Sequence, residues 1–173
     1  MHNPIRITAA GAGDAAVLMA LSITTFCETF AHLNSQEDMD MYVANEMNIE
    51  KLTGELSDPG NLFFFAWYNN EVAAYAKLRL HKEPEELISD NPIELERIYV
   101  LHKYHGKKIG VALMNHCMDY ARQKQHDTLW LGVWEHNHKA IGFYSQWGFE
   151  LFGSHPFILG NDAQTDVLMK KRL

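Results

Sequence analysis

Cysteine is scarce in this chain: two residues, Cys27 and Cys117, among 173. They show no CxxC spacing, so neither a disulfide framework nor a paired-thiol metal site is expected. Positive charge is in deficit, 15 Lys and Arg against 22 Asp and Glu, for a formal net charge of −7. That balance argues against a sequence-independent grip on nucleic acid. No apolar run approaches the ~20 residues of a membrane helix, and the opening MHNPIRITAAGAGD lacks a signal-peptide core. The expectation is a cytoplasmic protein with no membrane partner. Repeats, low-complexity segments and linkers are missing too, so residues 1–173 read as a single domain with a sizeable core. Ten histidines are many for this length. No HExxH orders them, and His136 and His138 make only a lone HxH around Asn137, so no metal is expected.

The elements that are present come in a telling order. Ile5 to Thr8 reads as a short strand. Asp14 is a candidate N-cap for a helix through Leu18, Leu21 and Phe26 to about Phe30. Ser35 to Leu56 reads as one more helical segment, opened by the capping pattern Ser35-Gln36-Glu37-Asp38. Leu62 to Tyr68 and Val72 to Leu80 are strands joined by Asn69-Asn70, a hairpin turn. After the acidic loop His81 to Pro92 comes a strand, Ile93 to Val100. Ile109 to Gln123 is a helix with Ile109, Leu113, Cys117 and Tyr120 on its apolar face. Thr128 to Trp134 is a strand and His138 to Trp147 a short helix, closed by Gly148 as a left-handed cap. Phe149 to His155 and Thr165 to Lys170 pair last. Strands first in a meander and then alternating with helices predict an α/β (α+β) fold, a mixed sheet with helices on its faces.

The stretch from Ile93 to Phe149 carries the most information. Its loop, His105-Gly106-Lys107-Lys108-Ile109-Gly110, lies between a strand and a helix start. Unpaired amides and the helix dipole there suit an anion such as a pyrophosphate, and glycine permits close backbone approach. Lys103, Lys107 and Lys108 add positive charge. The same loop reads equally as a turn with solvated lysines. It is neither a P-loop nor a dinucleotide fingerprint, since GxxxxGK[ST] and GxGxxG are both missing.

These residues resemble the GNAT superfamily of acetyl-CoA-dependent N-acetyltransferases. The strand LERIYV followed by HGKKIG stands where that family has Q/R-x-x-G-x-G/A. His105 replaces Gln or Arg, Lys108 replaces the middle glycine, and Gly110 matches the last position. VWEHNHKAIGFYSQWGFE looks like the family's second cofactor segment, with Asn137, Ala140, Phe143-Tyr144 and Gly148-Phe149 at its spacing. The resemblance implies a mostly antiparallel mixed sheet with a splayed strand pair, and acetyl-CoA as co-substrate. It implies cofactor contacts from Ile98, Tyr99, Val100, His105, Gly106, Lys107, Lys108, Ile109, Gly110, Val111, Asn137, Ala140, Phe143 and Tyr144. Asn137 would sit beside the pantetheine arm and Tyr144 near the thioester sulfur. TFCETFAHLNSQEDMDMYV, EVAAYAKL and LGNDAQTDVLMKK further resemble the bacterial PaiA-type polyamine acetyltransferases, which implies spermidine or spermine as the amine substrate.

An amine attacks only when neutral, and aliphatic amines have a pKa near 10, so a proton must leave. The departing thiolate needs a donor. Glu96 is the expected base, through water or directly, with Glu94 in reserve on the same face by alternation. Its plain alternative is a strand glutamate paired with Arg97 or a lysine. Tyr144 is the expected acid, or else an amphipathic core tyrosine. A backbone amide of the Ile98–Val100 strand end would meet the thioester oxygen. An acetyl-cysteine route through Cys27 or Cys117 is disfavoured, since no base adjoins Cys27 and Cys117 lies on an apolar helix face.

Glu28, Glu37, Asp38 and Asp40, with Glu83, Glu85, Glu86 and Asp90, are candidates for an acidic acceptor cleft, or ordinary solvated carboxylates. His32, Trp67 and Tyr75 are further candidates for that wall. Trp130, Trp134, Trp147, Phe152 and Phe157 are core residues or the face of a homodimer. Readings in competition are acetylation of a protein N-terminus or lysine, a catalytically weak acyl-CoA-binding regulatory module, and a dimerising scaffold.

Overall fold

A computed structural model describes residues 4–173. Its sheet has seven strands, β1 (Ile5–Ala10), β2 (Asn61–Tyr68), β3 (Glu71–Arg79), β4 (Pro92–Val100), β5 (Thr128–Trp134), β6 (Glu150–Leu159) and β7 (Asp162–Arg172). They lie in the order β1-β2-β3-β4-β5-β7-β6. β1 to β4 form an antiparallel meander. The β2–β3 turn has both Asn69 (φ 49°) and Asn70 (φ 68°) left-handed, the conformation a two-residue type I′ hairpin demands and asparagine tolerates.

Helices cover both faces. α4 (Ile109–Gln123) and α5 (His138–Gln146) lie over Phe64, Ala76, Leu78, Leu129 and Leu131. α4 contributes Ile109, Leu113, Met114 and Cys117, all essentially inaccessible. α1 (Ala15–Phe30) and α3 (Ile49–Ser57) lie on the other face, where Leu18, Leu21 and Leu52 meet Phe63, Phe65 and Tyr75. α2 (Gln36–Glu46) packs near the end of β6 through Met39 and Leu159.

Four sequence expectations change. The single helix expected from Ser35 to Leu56 is two, because Asn48 caps α3 by accepting a hydrogen bond from the Lys51 amide (2.9 Å), a cap worth about 1 kcal/mol. Asp14 holds the N-cap position of α1 but makes no side-chain cap bond; its carboxylate accepts the Gly11 amide instead (2.8 Å). The final hairpin is longer than expected, running through Pro156 and turning at Gly160 and Asn161. Proline is compatible there because β6 is an edge strand. Finally, the stretch Ala12–Leu33 is long and apolar enough by length and composition to cross a membrane, contrary to the reading that no run approaches that length. Leu18, Leu21, Ser22, Thr25 and Phe26 of this stretch are buried inside the protein.

Two irregularities place the site. β4 pairs with β5 in parallel over only Pro92–Thr128, Ile93–Leu129 and Glu94–Trp130; beyond that the strands splay. On its other side β4 slips register against β3: Lys77 opposes Arg97, but Leu78 opposes Leu95. Glu96 is the extra residue of this β-bulge, which reverses the alternation of β4. Ile93 and Leu95 therefore share the α4 face with Ile98 and Val100, while Tyr99 faces α1 and α3.

Candidate active site

A cleft of about 1080 Å³ runs through the split between β4 and β5 and opens on both faces of the sheet. On the α4 face it meets the loop before α4. Gly106 is left-handed (φ +80°) and so is Lys108 (φ 62°), the residue that caps α4. Lys108 thus takes the backbone shape usually given to glycine, so the loop keeps that shape with a lysine in place. No side chain caps this helix, which leaves the first-turn amides free to meet an anion. His105 closes the mouth: Nε2 lies 2.9 Å from the Val100 carbonyl and Nδ1 lies 3.5 Å from Lys139 Nζ.

The split also frees backbone donors. Amides alternate in direction along a strand, and the Leu101 amide donates to the Ala73 carbonyl on β3 (2.9 Å). The Ile98 and Val100 amides consequently point away from β3, toward the split. Asn137 has work of its own, accepting the Ala140 amide (3.2 Å) as the cap of α5. Phe143 and Tyr144, on α5, reach the cleft. Burial raises the Tyr144 pKa, so its phenol stays protonated and available as a donor.

Ile98, Tyr99, Val100, His105, Gly106, Lys108, Ile109, Gly110, Val111, Asn137, Ala140, Phe143 and Tyr144 all line this cleft, together with Glu96. Lys107 lies outside the lining. Lys103 is turned away, held by Glu71 at 2.9 Å. Tyr99 turns its ring to the α1 face, against Phe30 and Tyr75, which line the same cleft.

Glu96 stands among cations. Its carboxylate is 2.5 Å from Lys77 Nζ, 3.4 Å from Arg79 and 3.8 Å from Arg97. Burial opposes its ionisation, but Arg97, Lys77 and Arg79 outweigh that and hold it below the ordinary carboxylate range. Arg97 makes a two-pronged pair with Glu55 (3.1 Å for each prong), Lys77 meets Glu55 at 2.9 Å, and Arg79 meets Glu94 at 2.6 Å. Three carboxylates and three cations balance. Glu94, the reserve candidate, is 5% exposed, and burial raises its pKa against the pull of Arg79.

The acceptor side differs from expectation. Of the eight acidic candidates only Glu28 lines the cleft, and its carboxylate accepts the His102 amide (2.9 Å). Asp38 instead ties α2 to the last hairpin, accepting the Asn161 amide (2.7 Å). His32 and Tyr75 line the cleft. Trp67 does not; its indole donates to Thr8 (2.9 Å) beneath Arg6. Sequence reasoning missed an aromatic wall: Phe26 stacks on Tyr42 (4.6 Å between centroids), Tyr42 meets Phe157 (5.7 Å) and Phe30 meets Trp134 (6.4 Å). Trp134 and Phe157 thus belong to the cleft, and Trp130 is buried. Also missed were Glu46 on α2 and the pair His155 and Asp166.

A sequence signature of the Acetyltransferase (GNAT) family spans residues 23–149. The chain belongs to the GNAT family of acetyltransferases. It is 38% identical over 169 residues to an uncharacterized N-acetyltransferase of Lactobacillus delbrueckii subsp. lactis, covering 98% of each chain. A spermine/spermidine N(1)-acetyltransferase of Bacillus subtilis is 26% identical over 95 residues, 53% of this chain and 60% of that one. The fold matches that of a PaiA N-acetyltransferase from Thermoplasma acidophilum solved with coenzyme A, at a TM-score of 0.77 and 23% identity over 98% of this chain and 99% of that one. As a GNAT acetyltransferase the chain uses acetyl-CoA as co-substrate, and the free α4 amides, the left-handed loop and the split fit its pyrophosphate and thin pantetheine arm.

Proposed function

We propose that this chain acetylates a primary amine, with spermidine or spermine favoured, by direct attack within a ternary complex. The observation that carries the reading is the single cleft through the split sheet. It joins an anion-binding helix start on one face to an aromatic wall with carboxylates on the other, so donor and acceptor meet between β4 and β5. The Ile98 or Val100 amide receives the thioester oxygen as negative charge develops there. Tyr144 gives its proton to the departing sulfur. Glu96, held ionised, draws the ammonium and orients a water toward it. The thiols are poor nucleophiles here: burial pushes Cys117 up to about 12 and raises Cys27.

The polyamine preference rests on the Bacillus subtilis relative and on the acceptor wall. Phe26, Phe30, Tyr42 and Phe157 offer aromatic faces to ammonium groups; Glu28 stands outside the neutralised cluster, while Glu46 is paired with Lys51 and Asp166 with His155. The same aromatic wall also favours a second reading, a peptide N-terminus with an apolar first residue.

Release of CoA thiol from acetyl-CoA, followed with spermidine, spermine, putrescine, lysine peptides and an aminoglycoside, separates these. Turnover confined to the polyamines is the expected result. Turnover confined to peptides moves the conclusion to the second reading, and CoA binding without turnover on any amine overturns both.

A further inference from the structure

The proposed reaction leaves the amine's proton without a good destination, because an anion steadied by three cations is a weak base. The cleft holds another candidate. On β6, His155 pairs across the hairpin with Asp166 of β7, and Asp166 pairs in turn with Trp134 of β5. Residues paired across strands share a face, so the three form a row on the acceptor side of the sheet. Phe157, two residues along β6, packs against the aromatic wall with α2. His155 Nε2 lies 3.7 Å from Asp166 Oδ2, with the imidazole 41% exposed and the carboxylate 16%. The ring rests on Gly132 of β5: a Cβ built there would stand 3.4 Å from Nε2 and 3.5 Å from Oδ2. Gly132 is two residues past Trp130, the last β5 residue paired to β4, as Glu96 is two past Glu94. His155 and Glu96 therefore face the start of the split from opposite walls.

Resting on the amine acetyltransferase reading, we infer that His155, oriented by Asp166, accepts the proton the amine releases as it is acylated. The ammonium first gives one proton to solvent; the neutral nitrogen then bonds to the acetyl carbon, and the carbon–sulfur bond breaks. The nitrogen's proton passes to the imidazole, directly or through one water. Sulfur takes the Tyr144 proton, and the imidazolium proton returns to that phenolate by way of solvent, leaving amide and CoA thiol. The free ring nitrogen can take that proton, where a carboxylate clamped by three cations does so poorly. Asp166 is the carboxylate nearest Nε2, which favours a proton on that nitrogen and leaves Nδ1 as the acceptor. The other titratable and charged groups lining this part of the cleft are Glu96, Glu94, Arg79 and Arg97 across the split, and Tyr42 and Glu46 from α2, Glu46 being paired with Lys51.

The test compares wild type, His155→Gln and Asp166→Asn with the panel amine of highest kcat/KM, over a pH series, with CoA affinity by calorimetry as the check on folding. His155→Gln is expected to lower kcat about a hundredfold and to erase an ionisation limb of the wild-type profile, with acceptor KM and CoA Kd within twofold. Asp166→Asn, which keeps the imidazole but frees it, is expected to lower kcat about tenfold, and decides the matter should His155→Gln not fold. An unchanged limb and a kcat within twofold in the folded variants overturn the assignment of His155 alone. Failure of wild type to turn over any amine overturns the parent reading, and this one with it.

Discussion

At the residue scale the decisive fact is that identity and neighbours give different answers. Glu96 is a carboxylate on the right strand, yet its three cations hold it ionised. A carboxyl whose folded pKa is depressed adds stability that is present above its unfolded pKa, about 4.3, and lost as pH falls through the lower folded value. Glu96→Gln leaves three cations against two carboxylates. The expected cost is about 3 kcal/mol at pH 7, shrinking as pH is lowered through the carboxylate range; urea unfolding of wild type and variant at both ends of that range measures it. An equal cost at both ends would show that the charge of Glu96 does not matter to the fold. Tyr144 presents the opposite case. No hydrogen bond from its hydroxyl occurs among the described residues, so Tyr144→Phe removes a proton donor and little else. Turnover is expected to fall by about 10²-fold, with CoA affinity and thermal stability unchanged. Steady-state kinetics beside calorimetry read this, and undiminished kcat would remove the tyrosine from the reaction.

At the scale of elements, local patterns were legible and long-range registers were not. The bounds of α4 and β5, the Asn69-Asn70 turn and the Gly148 cap (φ +83°) follow from periodicity and turn chemistry alone. The bulge at Glu96 does not, because a register slip belongs to the pairing of two strands and leaves no mark on one. Alternation set Glu94 on one face with Glu96, and Arg79 meets both; past the bulge, alternation no longer tells which β4 side chains share a face. The His155 and Asp166 pair was hidden similarly: the first strand was expected to stop at His155, and only the Gly160-Asn161 turn sets 155 opposite 166. The acidic residues read as a cleft lining were composition without placement. One consequence concerns that same turn. Gly160 is left-handed (φ +61°), and a Cβ on it would lie 2.5 Å from the Asp38 backbone, so Gly160→Ala must push the hairpin off the start of α2. A loss of about 1–3 kcal/mol is expected. Because α2 walls only the acceptor side, acceptor KM is expected to rise while CoA Kd holds. A parallel loss of both would mean that the two halves of the cleft are not separable.

At the scale of the whole molecule, the sheet is two antiparallel blocks, β1 to β4 and β5-β7-β6, joined by three parallel residue pairs and by α4, whose core spans strands of both. That seam is the weakest part of the sheet and also the place where the cofactor is proposed to lie. A long ligand there replaces missing strand pairing with contacts to both blocks, so binding and cohesion are linked. A ligand that binds only the folded state at a hundred times its Kd adds about 2.7 kcal/mol. At roughly 2–4 °C per kcal/mol for a chain of this length, that is a rise in Tm of about 5–11 °C. The seam argument says where the gain is felt: amide exchange should slow most at Ile98 and Val100 on β4, at Leu131 to Val133 on β5 and in the first turn of α4, with β1 and β2 changing little. Calorimetry with and without CoA, followed by hydrogen exchange, checks both. A rise in Tm with uniform protection would mean that CoA stabilises the fold without bridging the split. Protection confined to other surfaces would place the cofactor outside it.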